Sequence, residues 1–141
     1  MRSLETVELT KAFGGNVVLD KTTVSFQHGK VNALIGPNGS GKTTFFNCVT
    51  GLIRPDSGRV SYAGTDITRR TPHAIARAGL GRTFQLCRVF PRMTVLDNVL
   101  AATRPRGANL FRGARGRAEV DRARGWLTKL GIEHLAGSEA R

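Results

Sequence analysis

The sequence has few cysteines and no apolar run near the length of a membrane span. Cys48 and Cys87 are the only cysteines in 141 residues, and their spacing is not that of a metal site. No apolar stretch approaches the ~20 residues that a transmembrane helix requires. The N-terminal MRSLETVELT also lacks the apolar core of a secretory signal. We therefore expect a globular domain of the reducing cytosol, not a disulfide-stabilised or membrane-spanning protein.

Acidic residues are also scarce, with 10 against 22 basic residues and a net charge of +12. Such an excess can indicate a nucleic-acid or membrane-surface partner. However, seven of the 17 arginines lie between Arg104 and Arg124, interrupted by Glu119 and Asp121. Only Phe111 is available there as a stacking platform. A solvated helix face, or the absence of an acidic part, explains the charge equally well, and a basic nucleic-acid-binding module stays a minor alternative.

The most informative stretch is GPNGSGKTTF, which runs from Gly36 to Phe45. It fits the phosphate-loop pattern G-x-x-x-x-G-K-[ST]. Its glycines let successive backbone N–H groups point into one concavity. Lys42 supplies a positive charge for the β- and γ-phosphates, and the Thr43 hydroxyl can ligate the accompanying Mg²⁺. A helix that begins near Gly41 would direct its N-terminal dipole at the same anion.

The residues around this loop fit the motif. The apolar run Lys30 to Ile35 predicts a buried parallel strand before the loop. Apolar residues then recur at helical spacing and predict a helix after the loop: Phe45, Phe46, Val49 and Leu52. Strand, glycine loop and helix is the arrangement that the motif requires, so the sequence predicts a site for the phosphates of a nucleotide.

The rest of the first half predicts short strands separated by turns. Residues 3–9 alternate polar and apolar, as a half-buried strand does, and a turn follows at Gly14–Gly15–Asn16. Further strands are predicted at 17–19, 24–26, 59–64 and 79–85, with a polar bend at Asp20–Lys21, a turn at 54–58 and a short helix from Pro72 to Ala78.

The second half predicts helices. Thr94 and Asp97 have the spacing of a capping box at the start of one helix. Residues 104–116 predict an exposed, mobile loop that is rich in arginine and glycine. A second amphipathic helix is predicted from Ala123, Trp126, Leu127 and Leu130, and one more helical turn near the end.

At this point the sequence resembles a known family. The order of antiparallel strands, GPNGSGKTT, RPDSG, RTFQ and a helical segment is similar to the ATP-binding domain of ABC transporters. FGG at 13–15 and the segments 35–51 and 81–102 resemble more narrowly the ATPases of branched-chain amino acid importers. The resemblance implies an α/β fold: a partial P-loop NTPase core with an N-terminal antiparallel β segment over 1–87, and the exit of the Q-loop with the start of a helical subdomain over 88–141.

The resemblance also implies roles for single residues. Phe13 matches the aromatic residue that stacks on adenine, and Gln85 matches the Q-loop glutamine, whose amide reaches Mg²⁺ and the attacking water. Lys42 and Gln85 are thus the implied catalytic residues, with Thr43 and Gln85 at the metal. The implied binding residues for ATP are Phe13, Asn38, Gly39, Ser40, Gly41, Lys42, Thr43 and Thr44.

Partners and location follow from the same resemblance. Leu86, Val89, Phe90 and Met93 place apolar side chains in a loop, which either covers a core or forms a docking surface. In the family this region receives the transmembrane permease subunits, and a second ATP-binding subunit completes a dimer. The implied location is the cytoplasmic face of the inner membrane, and no specific nucleic-acid partner is expected.

Several parts needed for ATP hydrolysis are missing from these 141 residues. After Gln85 no run of four apolar residues ends on Asp or Glu, no LSGGQ-like signature occurs, and His134 lies in EHLAG, not after a strand. We therefore expect the N-terminal portion of an ABC ATPase, inactive by itself. A small kinase or a GTPase is the other nucleotide-binding alternative, although such kinases place the loop almost at the N-terminus.

Overall fold

The computed structural model describes residues 3–84, 89–102 and 116–141. The chain divides into two compact units, Met1–Thr83 and Phe84–Arg141. The first unit contains strands β1 (Leu4–Phe13), β2 (Asn16–Phe26), β3 (Ser57–Tyr62) and β4 (Thr65–Asp66), with helices α1 (Lys42–Val49) and α2 (Pro72–Ala78). The second unit contains helices α3 (Val95–Ala102) and α4 (Arg117–Lys129) and a 3₁₀ helix, Glu133–Leu135.

The four strands form one antiparallel sheet in the order β2-β1-β3-β4. Gly14 and Gly15 connect β1 to β2 with φ values of 53° and 86°, the left-handed conformations that a two-residue hairpin turn requires. The predicted N-terminal strand and its turn are thus confirmed. The predicted bend at Asp20–Lys21 is wrong, because β2 continues through it, with Lys21 at a φ of 40°.

Residues 4–9 lie in a strand, but the side chains that this strand buries differ from those that the polar–apolar alternation predicts. Val7 is exposed, whereas Thr6 is buried. The Thr6 hydroxyl donates to Thr22 O and accepts from Val24 N, both at 3.1 Å. The register shifts between Thr6 and Leu9, where Glu8 has a φ of 48°. This bulge changes which residues face the core, and the side-chain hydrogen bonds satisfy backbone groups beside it.

The Thr6 contacts allow a test of the packing. We expect Thr6→Val to lower the free energy of unfolding by about 1–3 kcal/mol, since it leaves the amide of Val24 and the carbonyl of Thr22 without this partner. Chemical denaturation measures the change. Thr65→Val makes the same substitution at an exposed position of β4 and serves as the control. Equal stability of the two variants would show that the hydroxyl contributes nothing.

Helix α1 packs on one face of the sheet. Its side chains Phe45, Cys48 and Val49 are buried, and burial raises the pKa of the Cys48 thiol. The remaining core of this unit comes from both strands and helices: Leu9, Leu19, Val60, Ile67 and Ile75. Phe46 and Leu52, which the helical spacing placed on the same face, are exposed.

The predicted strands over 30–35 and 79–85 do not form in the described residues. Residues 31–37 and 80–84 have no regular secondary structure, and Gln85 lies outside the described part of the chain. Val31 and Ile35 are 102% and 90% exposed. A parallel strand requires neighbours at its edges and cover on both faces, and every strand pair described here is antiparallel. The prediction of a buried strand before the loop is therefore wrong for this structure.

The second unit is helical, as predicted. The Thr94 hydroxyl accepts from Asp97 N at 3.0 Å and donates to Asp97 Oδ2 at 2.8 Å, which confirms the predicted cap of α3. Helix α4 packs against α3 and buries Ala123 and Leu127. Trp126 and Leu130, predicted on the same face, are exposed, and Lys129 Nζ lies 4.6 Å from the centroid of the Trp126 ring.

Residues 104–115 of the loop predicted over 104–116 lie outside the described part of the chain, which resumes at Gly116. Among the described helices, none has both the length and the apolar character needed to cross a bilayer.

Candidate nucleotide-binding site

The glycine-rich loop adopts backbone conformations that its sequence makes possible. Gly39 and Gly41 have φ values of 84° and 85°, which residues with a Cβ atom rarely adopt. Ser40 N donates to Pro37 O at 3.3 Å and closes a turn between them. Directly after Gly41, the chain enters helix α1. The loop therefore curls back and leads into the helix, as a phosphate-binding loop must.

The N-terminus of α1 is open to an anion. Gly41 is the N-cap residue, so no side chain caps the helix, and its first turn contains no acidic residue. The first N–H groups of an α-helix have no partner within the helix, and the helix dipole adds partial positive charge at this end. Thr43 is exposed in this first turn and Thr44 is half-buried. The residues present therefore fit a bound phosphate, and Thr43 is an exposed hydroxyl-bearing residue beside it.

Lys42 holds its ammonium group across the loop. Its Nζ donates to the carbonyl oxygens of Gly36 and Pro37, each at 2.6 Å, and lies 3.5 Å from Ser40 Oγ. An ammonium group has three donors, which a phosphate can accept in place of the carbonyls. The side chain that the motif assigns to the phosphates is therefore already at the loop.

A cavity of about 310 Å³ adjoins the loop. Its lining combines loop residues with mainly apolar side chains of β2, α1 and the segment before the loop: Val18, Leu19, Thr22, Leu34, Ile35, Gly36, Pro37, Ser40, Gly41, Lys42 and Phe45. Small-molecule sites are commonly concave and mostly apolar, with a few polar groups that fix the ligand. The size and the lining of this cavity fit that description.

Strand β2 fixes the position of the loop. A Cβ atom on Gly41 would lie 2.8 Å from Val18 O and 3.1 Å from Leu19 Cδ2, so glycine alone allows the loop to approach the strand this closely. The same hairpin carries Phe13 at the end of β1, where the residue is 45% exposed and its ring centroid lies 5.3 Å from Lys11 Nζ. The hairpin therefore connects the candidate base-stacking residue to the phosphate loop.

Comparison with known proteins identifies the family. The sequence profile of the ABC transporter family matches residues 19–141. The chain belongs to this family. Two curated relatives carry names of branched-chain amino acid transport ATP-binding proteins, both designated LivG. The relative from Archaeoglobus fulgidus is 41% identical over all of this chain and 57% of its own length, and that from Salmonella typhimurium is 36% identical over 94% and 55%.

Solved structures agree. A nucleotide-free ATP-binding cassette from an ABC transporter is 34% identical and superposes with a TM-score of 0.77, covering 99% of this chain and 58% of the other. The ADP conformation of an ATP-binding cassette gives a TM-score of 0.78 with the same identity and coverage. The fold is thus that of an ABC ATPase cassette, and the chain spans about half the length of the relatives it matches.

For this ABC family member, the structure brings part of the predicted site together. Residues 36–44 form one continuous loop and helix start, and Phe13 lies in the same unit. Gln85 lies outside the described residues, so its predicted metal and catalytic roles stay predictions. Within the described ranges, no three His, Cys, Asp or Glu side chains converge as metal ligands.

One contact near the site was not predicted from the sequence. Arg82 Nη1 donates to Asn47 Oδ1 at 2.6 Å and lies 3.3 Å from Thr50 Oγ1. Both partners are at the C-terminal end of α1. Arg82 therefore connects the segment that leads to Gln85 to the helix that follows the phosphate loop. The signal in the sequence is the position of Arg82 in RTFQ, three residues before Gln85.

Proposed function

We propose that this chain binds Mg·ATP at residues 36–44, as the N-terminal part of the ATP-binding subunit of an importer for branched-chain amino acids. The observation that carries the proposal is the position of Lys42 Nζ across a glycine loop, at a helix N-terminus with no side-chain cap. The names of the relatives support the class of transported substrate. Because the chain belongs to the ABC family, the kinase and GTPase alternatives are set aside.

Each residue has a part in this proposal. The loop N–H groups and the Lys42 ammonium bind the phosphates, Phe13 stacks on adenine, and Thr43 and Gln85 contribute oxygen ligands to Mg²⁺. Mg²⁺ would neutralise phosphate charge and orient the phosphate groups. The implied partners are permease subunits and a second ATP-binding subunit, with the chain peripheral at the cytoplasmic face of the membrane.

Binding can be tested with variants of Lys42 and Phe13. We expect Lys42→Ala to raise the ATP dissociation constant at least ~10-fold, because a hydrogen bond to a charged group contributes about 1.5–3 kcal/mol. Phe13→Ala should raise it at least ~5-fold, since stacking of a base on an aromatic ring contributes ~1–3 kcal/mol. Isothermal titration calorimetry with Mg·ATP measures both changes.

The control variant removes one positive charge at a position outside the loop. Lys30→Ala lowers the net charge by one unit, as Lys42→Ala does, at an exposed position of the same unit. We expect it to bind ATP like the wild type. Equal ATP affinity of the wild type and Lys42→Ala would overturn the proposed site.

A further inference from the structure

Asp56 links the segment between α1 and β3 to the end of β1. Its Oδ2 accepts from Ala12 N at 2.8 Å, and its Oδ1 accepts from Lys11 Nζ at 2.6 Å. Its own N–H donates to Thr10 O at 2.9 Å. Three contacts from one residue therefore reach the three residues that precede Phe13.

The Asp56 carboxylate continues the hydrogen bonding along β1 past the last backbone pair between β1 and β3. The ladder between β1 and β3 ends at Thr10 and Ser57, whereas the ladder between β1 and β2 continues to Phe13 and Asn16. The Asp56 carboxylate supplies the acceptor for Ala12 N at the edge that β3 no longer covers. Hydrogen bonds therefore hold both edges of β1 as far as Ala12, the residue next to Phe13. These bonds restrict the backbone that carries the Phe13 ring.

Lys11 connects the same carboxylate to the ring itself. Its Nζ lies 2.6 Å from Asp56 Oδ1 and 5.3 Å from the centroid of Phe13. An ammonium group at this distance from an aromatic face is attracted to it. The Lys11 side chain is 15% exposed, against 47% for Asp56, so the cation is held between the carboxylate and the ring. The Phe13 ring keeps exposed area for a ligand.

We propose that Asp56 is a positioning residue that holds Phe13 for the base of the nucleotide. It acts through two contacts, with the Ala12 amide and with the Lys11 ammonium, and the ligand it serves is the adenine ring and not the phosphates. The inference rests on the proposed function, since it takes Phe13 as the base-stacking residue. The Lys11 hydrogen bond and the Ala12 amide also hold the pKa of the Asp56 carboxyl below its ordinary value.

Asp56→Asn tests the proposal with little change in volume. An asparagine amide has one oxygen and one NH₂ group, so it can accept from Ala12 N or from Lys11 Nζ but not from both in the present geometry. We expect the ATP dissociation constant to rise about 3- to 5-fold, part of the effect of losing the stacking ring. The dissociation constant of inorganic tripolyphosphate, which has no base, should stay unchanged.

A double-mutant cycle distinguishes positioning from a general structural role. In a Phe13→Ala background, Asp56→Asn should weaken ATP no further, because the ring it positions is gone. Asp66→Asn is the matched control. Asp66 also lies in the sheet and accepts from Thr68 N and Thr68 Oγ1, at 2.9 and 2.6 Å. We expect the Asp66→Asn substitution to leave the ATP affinity unchanged.

The outcomes separate this inference from the proposed function. If the wild type binds neither ATP nor tripolyphosphate, the proposed function fails and the inference fails with it. If the wild type binds both and Asp56→Asn binds ATP equally well, or weakens both ligands alike, only the inference is overturned. Should Asp56→Asn not fold, Lys11→Met keeps the aliphatic stem and breaks the ammonium link. A loss selective for ATP then supports the inference, and unchanged ATP affinity overturns it.

Discussion

The purified 141-residue chain is expected to release phosphate from ATP no faster than its Lys42→Ala variant, although ATP stabilises the fold. Hydrolysis requires an acidic group to help hold Mg²⁺ and a second group to orient the attacking water. The sequence leads us to expect neither group in these 141 residues, because after Gln85 no run of four apolar residues ends on Asp or Glu and no LSGGQ-like stretch occurs. The Gln85 amide cannot substitute, since it neither carries charge nor accepts a proton at neutral pH.

The expected effect on rate is large. Removing a single preorganised group that stabilises developing charge lowers kcat by about 100- to 1000-fold. Binding is a lesser requirement, and a ligand at 100 times its dissociation constant stabilises the folded state by about 2.7 kcal/mol.

A phosphate-release assay at saturating Mg·ATP, run beside a thermal unfolding experiment, measures turnover and binding on the same protein. We expect an ATP-dependent rise in Tm for the wild type that Lys42→Ala reduces, with equal phosphate release from the two proteins. Sustained turnover that depends on Lys42 would contradict the prediction and would indicate an unrecognised catalytic acid in this chain.

Gly41→Ala is expected to lower the free energy of unfolding by about 2–5 kcal/mol and to remove ATP-dependent stabilisation. The left-handed backbone, at a φ of 85°, costs about 1–2 kcal/mol for a residue with a Cβ atom. The new methyl group would also lie 2.8 Å from Val18 O and 3.1 Å from Leu19 Cδ2. Forcing extra volume into such a packed contact costs about 1–3 kcal/mol more. We expect relief of this contact to move the N-terminus of α1 away from β2.

Gly39→Ala is the matched comparison for this prediction. Gly39 has nearly the same φ, 84°, but a Cβ atom there meets nothing within 4 Å. It should therefore lose only the ~1–2 kcal/mol of backbone strain. Chemical denaturation with and without Mg·ATP gives both quantities. Equal stability losses at the two positions would show that contact with β2 does not hold the loop.

Elements with local signals were predicted well from the sequence. Gly14 and Gly15 determine the hairpin turn because two adjacent residues must adopt left-handed backbone. Thr71 accepts from Ala74 N at 3.3 Å at the start of α2, and Pro72 follows it in the first turn. Thr94 does the same for α3. In each case the deciding contact spans at most four residues, so the sequence carries it directly.

Elements that depend on distant neighbours were predicted poorly. The apolar run before the loop is strand-like in composition, yet Val31 and Ile35 are exposed, because no described strand pairs with them. On α4, Ala123 and Leu127 share the buried face, while Trp126 lies outside it. Periodicity gives the spacing of a face, but the partner helix decides which side chains it covers.

The sequence by itself indicated the family, through three segments that occur in the same order as in its relatives, and the hairpin turn, through two adjacent glycines. It also determined the loop residues and the start of α1, because glycine, lysine and the helix start occur within eight consecutive positions. Tertiary structure alone decided where Lys42 Nζ lies, how closely β2 approaches Gly41, and that Asp56 reaches Ala12 and Lys11. Those contacts join residues more than 20 positions apart, or depend on one side-chain conformation among several. A short stretch of sequence does not specify such contacts. They form only when the folded chain brings β2 next to Gly41, and Asp56 next to the end of β1.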